Sequence, residues 1–512
     1  MITTTDMKVL ETNSVALGIP LNNLMEAAGK SIADFVDSQL KGKRGLRIVV
    51  MVGKGGNGGD GLVAARYLSS IGYMVEVLPA YPSSEVEHPD ALFNLKILKK
   101  LDSVKIHEPG RLDALENKDV IIDALLGTGV RGVLKSPLKE LVDKANEVEA
   151  ILKIAVDTPS GLNPDTGEVH GTAFKAHHTV TFHDLKPGLL KNREYTGEIV
   201  VANIGIPSEA EKYVGPGDVI HRVPHRPRDA HKGSSGRVLV IAGSKRYVGA
   251  AYLSAHASLL AGVDLSFLVV PEAVRGIAAG FSPDVITLSY PGDYLSVDAV
   301  SLITKYVEEL KPHAIAIGPG LGSEPETLEA VKKLTGCIVE KKIPLVLDAD
   351  ALKTVKLGID RFNGMVVLTP HRGEFRNITN YNITENLGEA LQLVETAAKN
   401  FNAVVLLKAS VDIISNGEKT RLNRTGNPYM AVGGTGDVLT GLVTGLIPQV
   451  KDVFHAACIA AYLNGLAGDY LLKTNKHVSA SNILKVLPLV KSKPLEIQWK
   501  VYDLKPLKHC YN

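Results

Sequence analysis

Short apolar runs alternate with helix-period segments along almost the whole chain, and this alternation constrains the fold more than any other feature. In the first half the runs include "RIVVMV", "VIIDALLG" and "ILKIAVD", which are separated by segments such as "LVAARYLSSIG". A second series begins at "RVLVIAGS" and continues to "AVVLLKAS". Apolar strands that alternate with helices predict βαβ units, in which helices cover both faces of a mostly parallel sheet. The sequence therefore predicts two α/β domains in tandem.

A stretch without either periodicity separates the two series. Residues 213–236, "YVGPGDVIHRVPHRPRDAHKGSSG", are rich in Gly, Pro, His and Arg, which predicts a linker. At 512 residues the chain is too long for one ordinary hydrophobic core. We expect a first domain over 1–217 and a second over 218–512.

The charge balance excludes several classes of partner. The chain has 57 Lys and Arg against 55 Asp and Glu, so it offers no broad basic face to nucleic acid or to an anionic membrane. No apolar run approaches the roughly 18 to 20 residues that cross a bilayer, and charged residues interrupt any secretory signal at the N-terminus. We expect a cytoplasmic protein that binds neither nucleic acid nor membrane.

A glycine-rich segment, "GKGGNGGDG" (53–61), follows the first strand and precedes a helix. It matches neither G-x-x-x-x-G-K-[ST] nor a clean G-x-G-x-x-G. A strand, a glycine turn and a helix start still present free backbone N–H groups to an anion, which predicts a site for a phosphate-bearing ligand. The alternative is a sharp turn that only lets the helix pack closely on its strand.

Two further strand ends carry short polar side chains. "IIDALLGTGVRG" places Asp123 inside a buried run, and "IAVDTPSGLNPDTG" puts Asp157 and Ser160 at another strand end. Ligands of open parallel sheets bind outside the carboxyl ends of the strands, so these loops should converge with the glycine segment. A buried Asp123 requires a cation or several hydrogen-bond donors, or is a structural aspartate. Asn57, Asp123 and Ser160 offer only hard oxygens, which suit an alkali or alkaline-earth cation.

These motifs, in this order and after the helical "LMEAAGKSIADFV", resemble the NAD(P)HX epimerases, the YjeF N-terminal family, over about residues 1–215. That family interconverts the R and S forms of hydrated NADH or NADPH, which carry a hydroxyl at C6 of the reduced nicotinamide. The resemblance implies a Rossmann-like three-layer αβα domain. It implies that the dinucleotide contacts Gly56, Asn57, Gly58, Gly59, Asp60, Gly127, Thr128, Gly129, Val130, Arg131, Gly132 and Val133.

The same resemblance implies roles for four polar residues. Asp157 would lie at the nicotinamide, where a carboxylate can carry the proton that inversion of C6 demands. Asn57, Asp123 and Ser160 would bind potassium. The family usually has two consecutive asparagines in the glycine segment, whereas this chain has Gly56 at the first of them.

The most informative stretch of the second half is "MAVGGTGDVLTGLVTGLI" (430–447). Its glycines lead into a helical run with Asp437 in the first turn. Backbone N–H groups there can form an anion hole, and a carboxylate can accept a hydroxyl proton during phosphoryl transfer. The alternative makes Asp437 only a favourable charge at a helix N-terminus.

Five motifs surround this signal: "VGAAYLSAHASLLAGVDL", "AIGPGLG", "LDADAL", "LTPHRGEF" and "LLKASVDII". The ordered set resembles the ribokinase-like ADP- or ATP-dependent NAD(P)H-hydrate dehydratases over about residues 225–500. By that resemblance the hydrated dinucleotide contacts Ala250, Gly322, His371 and Asp437, and the adenine nucleotide contacts Lys408, Ala409, Ser410, Val411, Asp412 and Gly436. Glu374 is a candidate to hold a magnesium-bound water. Ala409 and Val411 replace the family's usual Gly and Thr, which bears on nucleotide affinity and on the choice between ADP and ATP.

Together the two resemblances imply a bifunctional repair enzyme. One domain would interconvert the epimers, and the other would phosphorylate the C6 hydroxyl and expel it to restore NAD(P)H. K⁺, Mg²⁺, an ADP or ATP co-substrate and a homo-oligomer are implied with it. Two alternatives stay open: a second domain that is a kinase for a vitamin precursor or sugar, since function does not follow from fold, and a first domain that is a non-catalytic binding or scaffold module.

Overall fold

The apolar segments of the sequence form two separate sheets. The computed structural model describes residues 1–129, 132–229 and 231–504, and the chain divides into a first unit, Met1–Pro207, and a second unit that begins at Ser208. Each unit has its own sheet with helices packed against it. The predicted class, an α/β chain with two domains that each contain a mostly parallel sheet, is confirmed.

The sheet of the first unit is entirely parallel. Its strands, within the described residues, are β1 Arg47–Val52, β2 Met74–Pro79, β3 Val104–Ile106, β4 Val120–Ala124, β5 Leu152–Val156, β6 His178–Phe182 and β7 Glu198–Ala202. Their order is β3-β2-β1-β4-β5-β6-β7, and β1 and β4 lie side by side with Val52 opposite Ala124. From β1 the chain adds β2 and β3 toward one edge of the sheet, and from β4 it adds β5, β6 and β7 toward the other edge. A ligand crevice is expected between β1 and β4, at their carboxyl ends.

Helices flank this sheet. They are α1 Thr4–Ala16, α2 Leu21–Leu40, α3 Gly56–Ser70, α4 Pro89–Leu98, α5 Leu138–Glu147 and α6 Arg193–Thr196. Short 3-10 turns cover Ser83–Glu85, Leu112–Leu115 and Pro187–Leu190. Strands β4 and β5 are buried along their whole length, which explains why they are mostly apolar, apart from Asp123 and Lys153, and do not alternate.

The sheet of the second unit is parallel with an antiparallel edge. Its strands are β8 Arg237–Ile241, β9 Leu265–Pro271, β10 Ile286–Tyr290, β11 Ala314–Ile317, β12 Leu345–Leu347, β13 Val366–Leu368, β14 Val404–Leu407, β15 Asp412–Ser415 and β16 Thr420–Asn423. The order is β10-β9-β8-β11-β12-β13-β14-β15-β16, and the last two pairs are antiparallel.

Two hydrophobic cores cover the opposite faces of this second sheet. Val238 and Val240 of β8 belong to one core, and Leu239 and Ile241 belong to the other, because successive side chains of a strand point to opposite faces. The helices are α7 Ser208–Lys212, α8 Pro216–Arg222, α9 Val248–Ala261, α10 Glu272–Gly280, α11 Ala299–Leu310, α12 Pro325–Glu340, α13 Arg372–Thr379, α14 Leu387–Phe401, α15 Thr435–Val450, α16 Val453–Lys473, α17 Ala480–Ser492 and α18 Pro494–Val501. The 3-10 turns are Ala349–Thr354 and Pro428–Met430. Among the described residues, no helix is both long and apolar enough to cross a membrane.

The predicted linker over 213–236 is wrong in its first half. Helix α8 lies inside it, and the Asp218 carboxylate of this helix is buried and accepts hydrogen bonds from Arg421. The Val214 amide donates to the Leu422 carbonyl. The helix escaped prediction because seven residues that begin with Pro and Gly are too few to show a helical period.

Candidate functional site

Helix α3 begins almost directly after β1. Only residues 53–55 separate the two elements, so Gly56 is already helical and Gly55 is the N-cap. No side chain caps this end, which leaves the amide groups of the first turn and the positive end of the helix dipole at the carboxyl edge of the sheet. This is the arrangement on which the phosphate-site prediction depends, and the site itself stays a prediction.

The glycines of this segment divide into two groups. A Cβ atom at Gly58 would overlap the carbonyl oxygen of Gly53, and one at Gly61 would lie 2.5 Å from the Ala124 Cβ. These glycines therefore let α3 pack directly on the sheet. For them, the alternative of a sharp turn that lets the helix pack closely on its strand applies. A Cβ at Gly56 would come no closer than 3.8 Å to any atom. The open face of the segment is therefore at Gly56.

A buried carboxylate lies beneath this helix start. Asp123 is fully buried at the end of β4 and accepts hydrogen bonds from Ser160 N at 2.8 Å, Ser160 Oγ at 2.8 Å and Leu125 N at 3.2 Å. Burial raises the pKa of Asp123 to about 6, although the hydrogen bonds from Ser160 and Leu125 oppose the rise. Asn57 adjoins the same loop, since a Cβ at Gly127 would lie 2.9 Å from Asn57 Oδ1. The structure thus brings Asn57, Asp123 and Ser160 together.

The rest of the predicted dinucleotide loop follows β4. Gly129 and Gly132 face open space, and the Val133 side chain is exposed. Val130 and Arg131 lie outside the described residues. Gly129, Gly132 and Val133 are therefore accessible to a ligand, whereas Gly127 is buried.

Asp157 is held by a buried lysine that sequence reasoning missed. Directly after β5, Asp157 adopts a left-handed backbone with φ +61°, which is unusual for a residue other than glycine. Its carboxylate accepts hydrogen bonds from Lys186 Nζ at 2.5 Å, Thr181 Oγ1 at 3.1 Å and Phe182 N at 3.3 Å. The Lys186 side chain has no exposed surface. A lysine in the segment "HDLKPGLL" directly after a strand was the available signal.

Two more carboxyl groups interact electrostatically with this ion pair. Glu11 comes from α1 and Asp60 from α3, and neither carboxyl has a hydrogen bond to a protein group within the described chain. Burial and, to a smaller extent, the negative charge of Asp157 raise the pKa of Glu11 to about 7. Burial and the charges of Asp157 and Glu11 raise the pKa of Asp60 well above its usual value. Glu11 was not anticipated, and Asp60 was predicted only as part of the glycine segment.

In the second unit, Asp437 lies at the start of α15. Gly434, with φ +94°, is the N-cap of this helix, and the Asp437 carbonyl oxygen lies 3.0 Å from Ser254 Oγ. Burial and the charge of Asp348 raise the pKa of the Asp437 carboxyl to about 6, while Lys408 lowers it. The group is therefore able to accept a proton near neutral pH.

The Lys408 ammonium group lies close to the carboxylates of Asp348 and Glu374, beside Asp437. Its ammonium group lies 2.8 Å from an oxygen of buried Asp348, which also accepts a hydrogen bond from Thr440 Oγ1 at 2.6 Å. Burial alone would raise the pKa of Asp348, but Lys408 and the hydrogen bonds lower it. Lys408 Nζ is also 4.0 Å from Glu374 Oε2. Sequence reasoning missed the role of Asp348, although "LDADAL" placed it at a strand end.

His371 is the N-cap of α13. Its Nδ1 accepts hydrogen bonds from the amides of Gly373 at 3.0 Å and Glu374 at 3.1 Å, and the Glu374 carboxylate accepts one from His371 N. This capping leaves Nε2 as the N–H donor of the neutral ring. The side chain is 61% exposed, and Nε2 lies 3.6 Å from Glu374 Oε1.

The two remaining residues predicted at the hydrated dinucleotide adjoin the same place. Ala250 lies in the first turn of α9, and its carbonyl oxygen is 3.1 Å from Ser254 Oγ. Gly322 has φ +90° and donates its N–H to Asp350 Oδ2 at 2.9 Å. The charge of Asp350 in turn raises the pKa of Asp437. The predicted residues of this site therefore converge at the carboxyl edge of the second sheet.

A cavity of about 750 Å³ opens beside them. Its walls include His371, Lys408, Ala409, Ser410, Asp412 and Gly436. Val411 packs against the core and does not line the cavity. Burial raises the pKa of Asp412 to about 6, and its carboxylate accepts hydrogen bonds from the Ala409 amide and the Asn423 side chain. The volume is in the range of small-molecule sites.

Comparison with known proteins links both halves of the chain to one family. Residues 21–188 match the YjeF-related protein N-terminus, and residues 238–489 match the NAD(P)H-hydrate dehydratase family. A bifunctional NAD(P)H-hydrate repair enzyme, Nnr, of Hyperthermus butylicus is 42% identical over 97% of this chain and 93% of the relative. The enzyme of the same description from Pyrobaculum aerophilum is 43% identical over 96% of this chain and 97% of the relative.

Among solved structures, the ADP/ATP-dependent NAD(P)H-hydrate dehydratase from Bacillus subtilis, crystallised with ATP and Mg²⁺, is 29% identical. It covers 56% of this chain and 98% of its own, with a TM-score of 0.48.

Proposed function

The chain belongs to the family of bifunctional NAD(P)H-hydrate repair enzymes, and from that premise we propose which residues perform each of its two reactions. We assign epimerisation of R- and S-NAD(P)HX to the first unit and nucleotide-driven dehydration of S-NAD(P)HX to the second. The observation that supports the assignment most directly is chemical. At the carboxyl edge of each sheet, a carboxyl group with a raised pKa, Asp123 or Asp437, adjoins the glycine-rich start of a helix.

In the first unit, the pyrophosphate would bind at the start of α3, over the open face at Gly56. Asp157 would lie at the nicotinamide. Its ion pair with Lys186 fixes the carboxylate in one orientation, so that it can stabilise positive charge on the ring as the bond at C6 breaks.

Potassium fits the oxygens of the neighbouring loop. Asp123 is a buried carboxylate that pairs with no lysine or arginine among the described residues, and the Asn57 Oδ1 atom adjoins Gly127 of the loop that follows it. Asn57, Asp123 and Ser160 supply hard oxygen ligands only. We propose that they hold K⁺, which would add positive charge near the pyrophosphate.

In the second unit, Asp437 would accept the proton of the C6 hydroxyl while that oxygen attacks the terminal phosphorus of ADP or ATP, whose bond to the departing AMP or ADP breaks. The amides at the start of α15 and the Lys408 ammonium would receive the negative charge that develops on the phosphate oxygens. Phosphate then leaves with the C6–O bond electrons, the N1 lone pair compensates, and loss of a C5 proton restores the dihydropyridine. The net result is removal of water.

The side chains of this site could supply only some of the ligands of a magnesium ion. No group of three metal-ligating side chains occurs in the described part of the chain, but Mg²⁺ is usually held by one or two carboxylates together with substrate phosphates. Glu374, whose carboxyl faces Lys408, would hold a magnesium-bound water. The ion would neutralise the phosphate charge.

Several wider properties belong to the same proposal. The epimerase domain is expected over 1–217 and the dehydratase domain over 218–512, although the compact units divide at Pro207. We further propose a cytoplasmic homo-oligomer that acts on NADHX and NADPHX and binds neither nucleic acid nor membrane.

The deciding experiment measures recovery of NADH absorbance from a mixture of R- and S-hydrate with ADP or ATP, Mg²⁺ and K⁺. The wild-type chain should consume both epimers. A stable phosphorylated product without recovered absorbance would contradict dehydration and favour a kinase. An R epimer that disappears no faster than by spontaneous exchange would contradict epimerisation and favour a binding module.

A further inference from the structure

A second cavity, of about 890 Å³, lies in the second unit away from the candidate site. Ser234 and Ser235, which precede β8, and Gly262 and Val263, which precede β9, line it, so it opens at the amino ends of these strands. Helix α15 begins at the candidate site, and Pro448 in its last turn lines the cavity. At 16 residues this helix is about 24 Å long, so the two places are separate.

The polar wall of this cavity is cationic. Arg226, Lys451 and Lys491 line it, and no Asp or Glu occurs among the described residues of its walls. The Arg226 guanidinium pairs with the Asp264 carboxylate and donates to Ser235 Oγ at 3.2 Å, which fixes its orientation. Within the described ranges, Lys451 and Lys491 form no salt bridge with a carboxylate. The wall therefore carries more positive charge than the neighbouring carboxylate neutralises.

Lys491 is the member of this wall that an anion would stabilise most. Its ammonium group donates a hydrogen bond to the carbonyl oxygen of Ala261, the last residue of α9. That carbonyl also accepts a hydrogen bond from Gln449 Nε2 at 2.8 Å, so it does not depend on the lysine. Burial and, after it, the charge of Arg226 lower the pKa of Lys491 to about 8. A half-buried cation without a carboxylate partner gains a charge-assisted hydrogen bond when an anion binds beside it.

The remaining walls are largely apolar. Ile220 of α8 and Leu260 of α9 contribute aliphatic side chains, and Pro224, Pro448 and Pro488 contribute rings. Ile220 is 37% exposed. An inorganic ion would leave this apolar surface in water, whereas an organic ligand would cover it and gain affinity with each carbon that it buries.

We propose that this cavity is a binding site for a small organic anion. Its charged group lies against Lys491 and Arg226, and its apolar body lies against Ile220 and Leu260. Both a phosphate and a carboxylate satisfy this chemistry. The second half of the predicted linker over 213–236 thus forms part of a binding site, which is separate from both candidate sites and independent of the proposed function.

The test measures dissociation constants by equilibrium dialysis on the full-length chain. The four probes are 1-naphthyl phosphate, 1-naphthoate, neutral 1-naphthol and inorganic phosphate. Wild type should bind the two naphthyl anions more tightly than 1-naphthol and inorganic phosphate, because only these anions contact the cations and the apolar walls together. The tighter of the two anions identifies the charged group of the ligand as phosphate or carboxylate, and either preference supports the site.

Two variants locate the bound probe. Lys491→Met should raise Kd for the tighter naphthyl anion by about ten- to a hundredfold, as for loss of a hydrogen bond to a charged group, and Kd for 1-naphthol by less than about threefold. Ile220→Ser should raise Kd for the same anion by about three- to tenfold and leave Kd for inorganic phosphate unchanged. Lys485 is an exposed lysine of the same helix, α17, outside the cavity, so Lys485→Met should bind like wild type.

Urea unfolding followed by Trp499 fluorescence separates binding from folding, since Trp499 is the single tryptophan and lies in α18 of the same unit. Lys491→Met should be at least as stable as wild type, because it removes a cation that burial disfavours and leaves the Ala261 carbonyl bonded to Gln449. If this variant does not fold, Ile220→Ser, at an exposed side chain, decides the question.

Three results would overturn the proposal. A folded Lys491→Met chain that binds the anions as tightly as wild type would place them elsewhere on the molecule. Equal affinity of wild type for 1-naphthol and for the two anions would show that the cations do not take part in binding. Sedimentation that shows self-association of wild type, lost in Ile220→Ser, would make this surface an interface between copies of the chain.

Discussion

At the scale of single residues, burial sets the protonation of the general base proposed for dehydration. Asp437 in the second unit has a pKa raised by burial toward neutrality. Asp437 must be ionised before it can act as a base. The raised pKa of Asp437 therefore predicts an acid limb in the pH dependence of dehydration.

For dehydration, activity should rise with pH through about 6, because the Asp437 carboxyl must lose its proton before it can accept one from the substrate. Asp437→Asn should reduce dehydration by at least roughly 10², as expected for loss of a general base, without altering epimer exchange. The measurement is the initial rate of NADH absorbance recovery from S-hydrate between pH 5 and 8.

Asp350→Asn is the matched variant, because the charge of Asp350 raises the pKa of Asp437. Its removal should move the midpoint of the acid limb to lower pH. A full-rate Asp437→Asn variant, or an acid limb with the same midpoint in Asp350→Asn, would contradict the assignment of Asp437.

The ion pair of Lys408 with Asp348 predicts a stability effect that is separable from activity. Lys408→Met would leave the Asp348 carboxylate buried without its cation, which should lower the free energy of unfolding by about 3–5 kcal/mol. The loss should be largest above the pKa of Asp348 in the variant and should diminish as acid neutralises the carboxyl, since Lys408 is what lowers this pKa in wild type.

The double variant Asp348→Asn/Lys408→Met should recover most of the stability and none of the dehydratase activity. Trp499, the single tryptophan of the chain, lies in α18 of the second unit, so its fluorescence during urea unfolding reports on this unit. If Lys408→Met were as stable as wild type, the ion pair of Lys408 with Asp348 would contribute nothing to the free energy of unfolding.

At the scale of the element, α3 combines two demands on its glycines. Gly58 and Gly61 let the helix contact the sheet, whereas Gly56 faces open space. Gly58→Ala should destabilise the first unit by about 1–3 kcal/mol, because the new methyl group overlaps the carbonyl oxygen of Gly53.

Gly56→Ala, whose new methyl group would lie 3.8 Å from the nearest atom of His88, should leave the stability of the first unit unchanged and alter only KM for the hydrate. The midpoint of the first unit's calorimetric transition, with Trp499 fluorescence as an internal standard for the second unit, compares the two variants. Equal midpoints for Gly58→Ala and Gly56→Ala would exclude the division of roles between these glycines.

The features that could be predicted from the sequence are those that depend on residues close together along the chain. Long apolar strands and the glycine-rich helix starts followed from composition and period, and the sites were expected where these strands end. The partners of the reacting groups did not follow, because Lys186 is 29 residues from Asp157 and Lys408 is 60 residues from Asp348, and only the folded sheet joins them. Glu11 was missed for the same reason, since its helix carries no motif of its own.

At the scale of the whole molecule, the two proposed reactions have one species in common. The first unit and the second have separate sheets and separate candidate sites, and the only species that the proposed reactions exchange is S-NAD(P)HX. A product of one site can therefore be consumed by another copy of the chain. This predicts that the two activities complement each other between molecules.

The complementation experiment mixes two full-length variants. Asp157→Asn/Lys186→Met replaces the ion pair of the first unit with neutral groups, so no buried charge is left unpaired, and should consume only the S epimer of the mixed hydrate. Asp437→Asn should exchange the epimers without recovering NADH. Their mixture should consume both epimers, at a rate that rises with the concentration of the exchanging variant, because released S-hydrate reaches the dehydrating chain through solution. If both variants are folded and the mixture still leaves the R epimer, transfer must occur within one chain, and independence of the two sites is excluded.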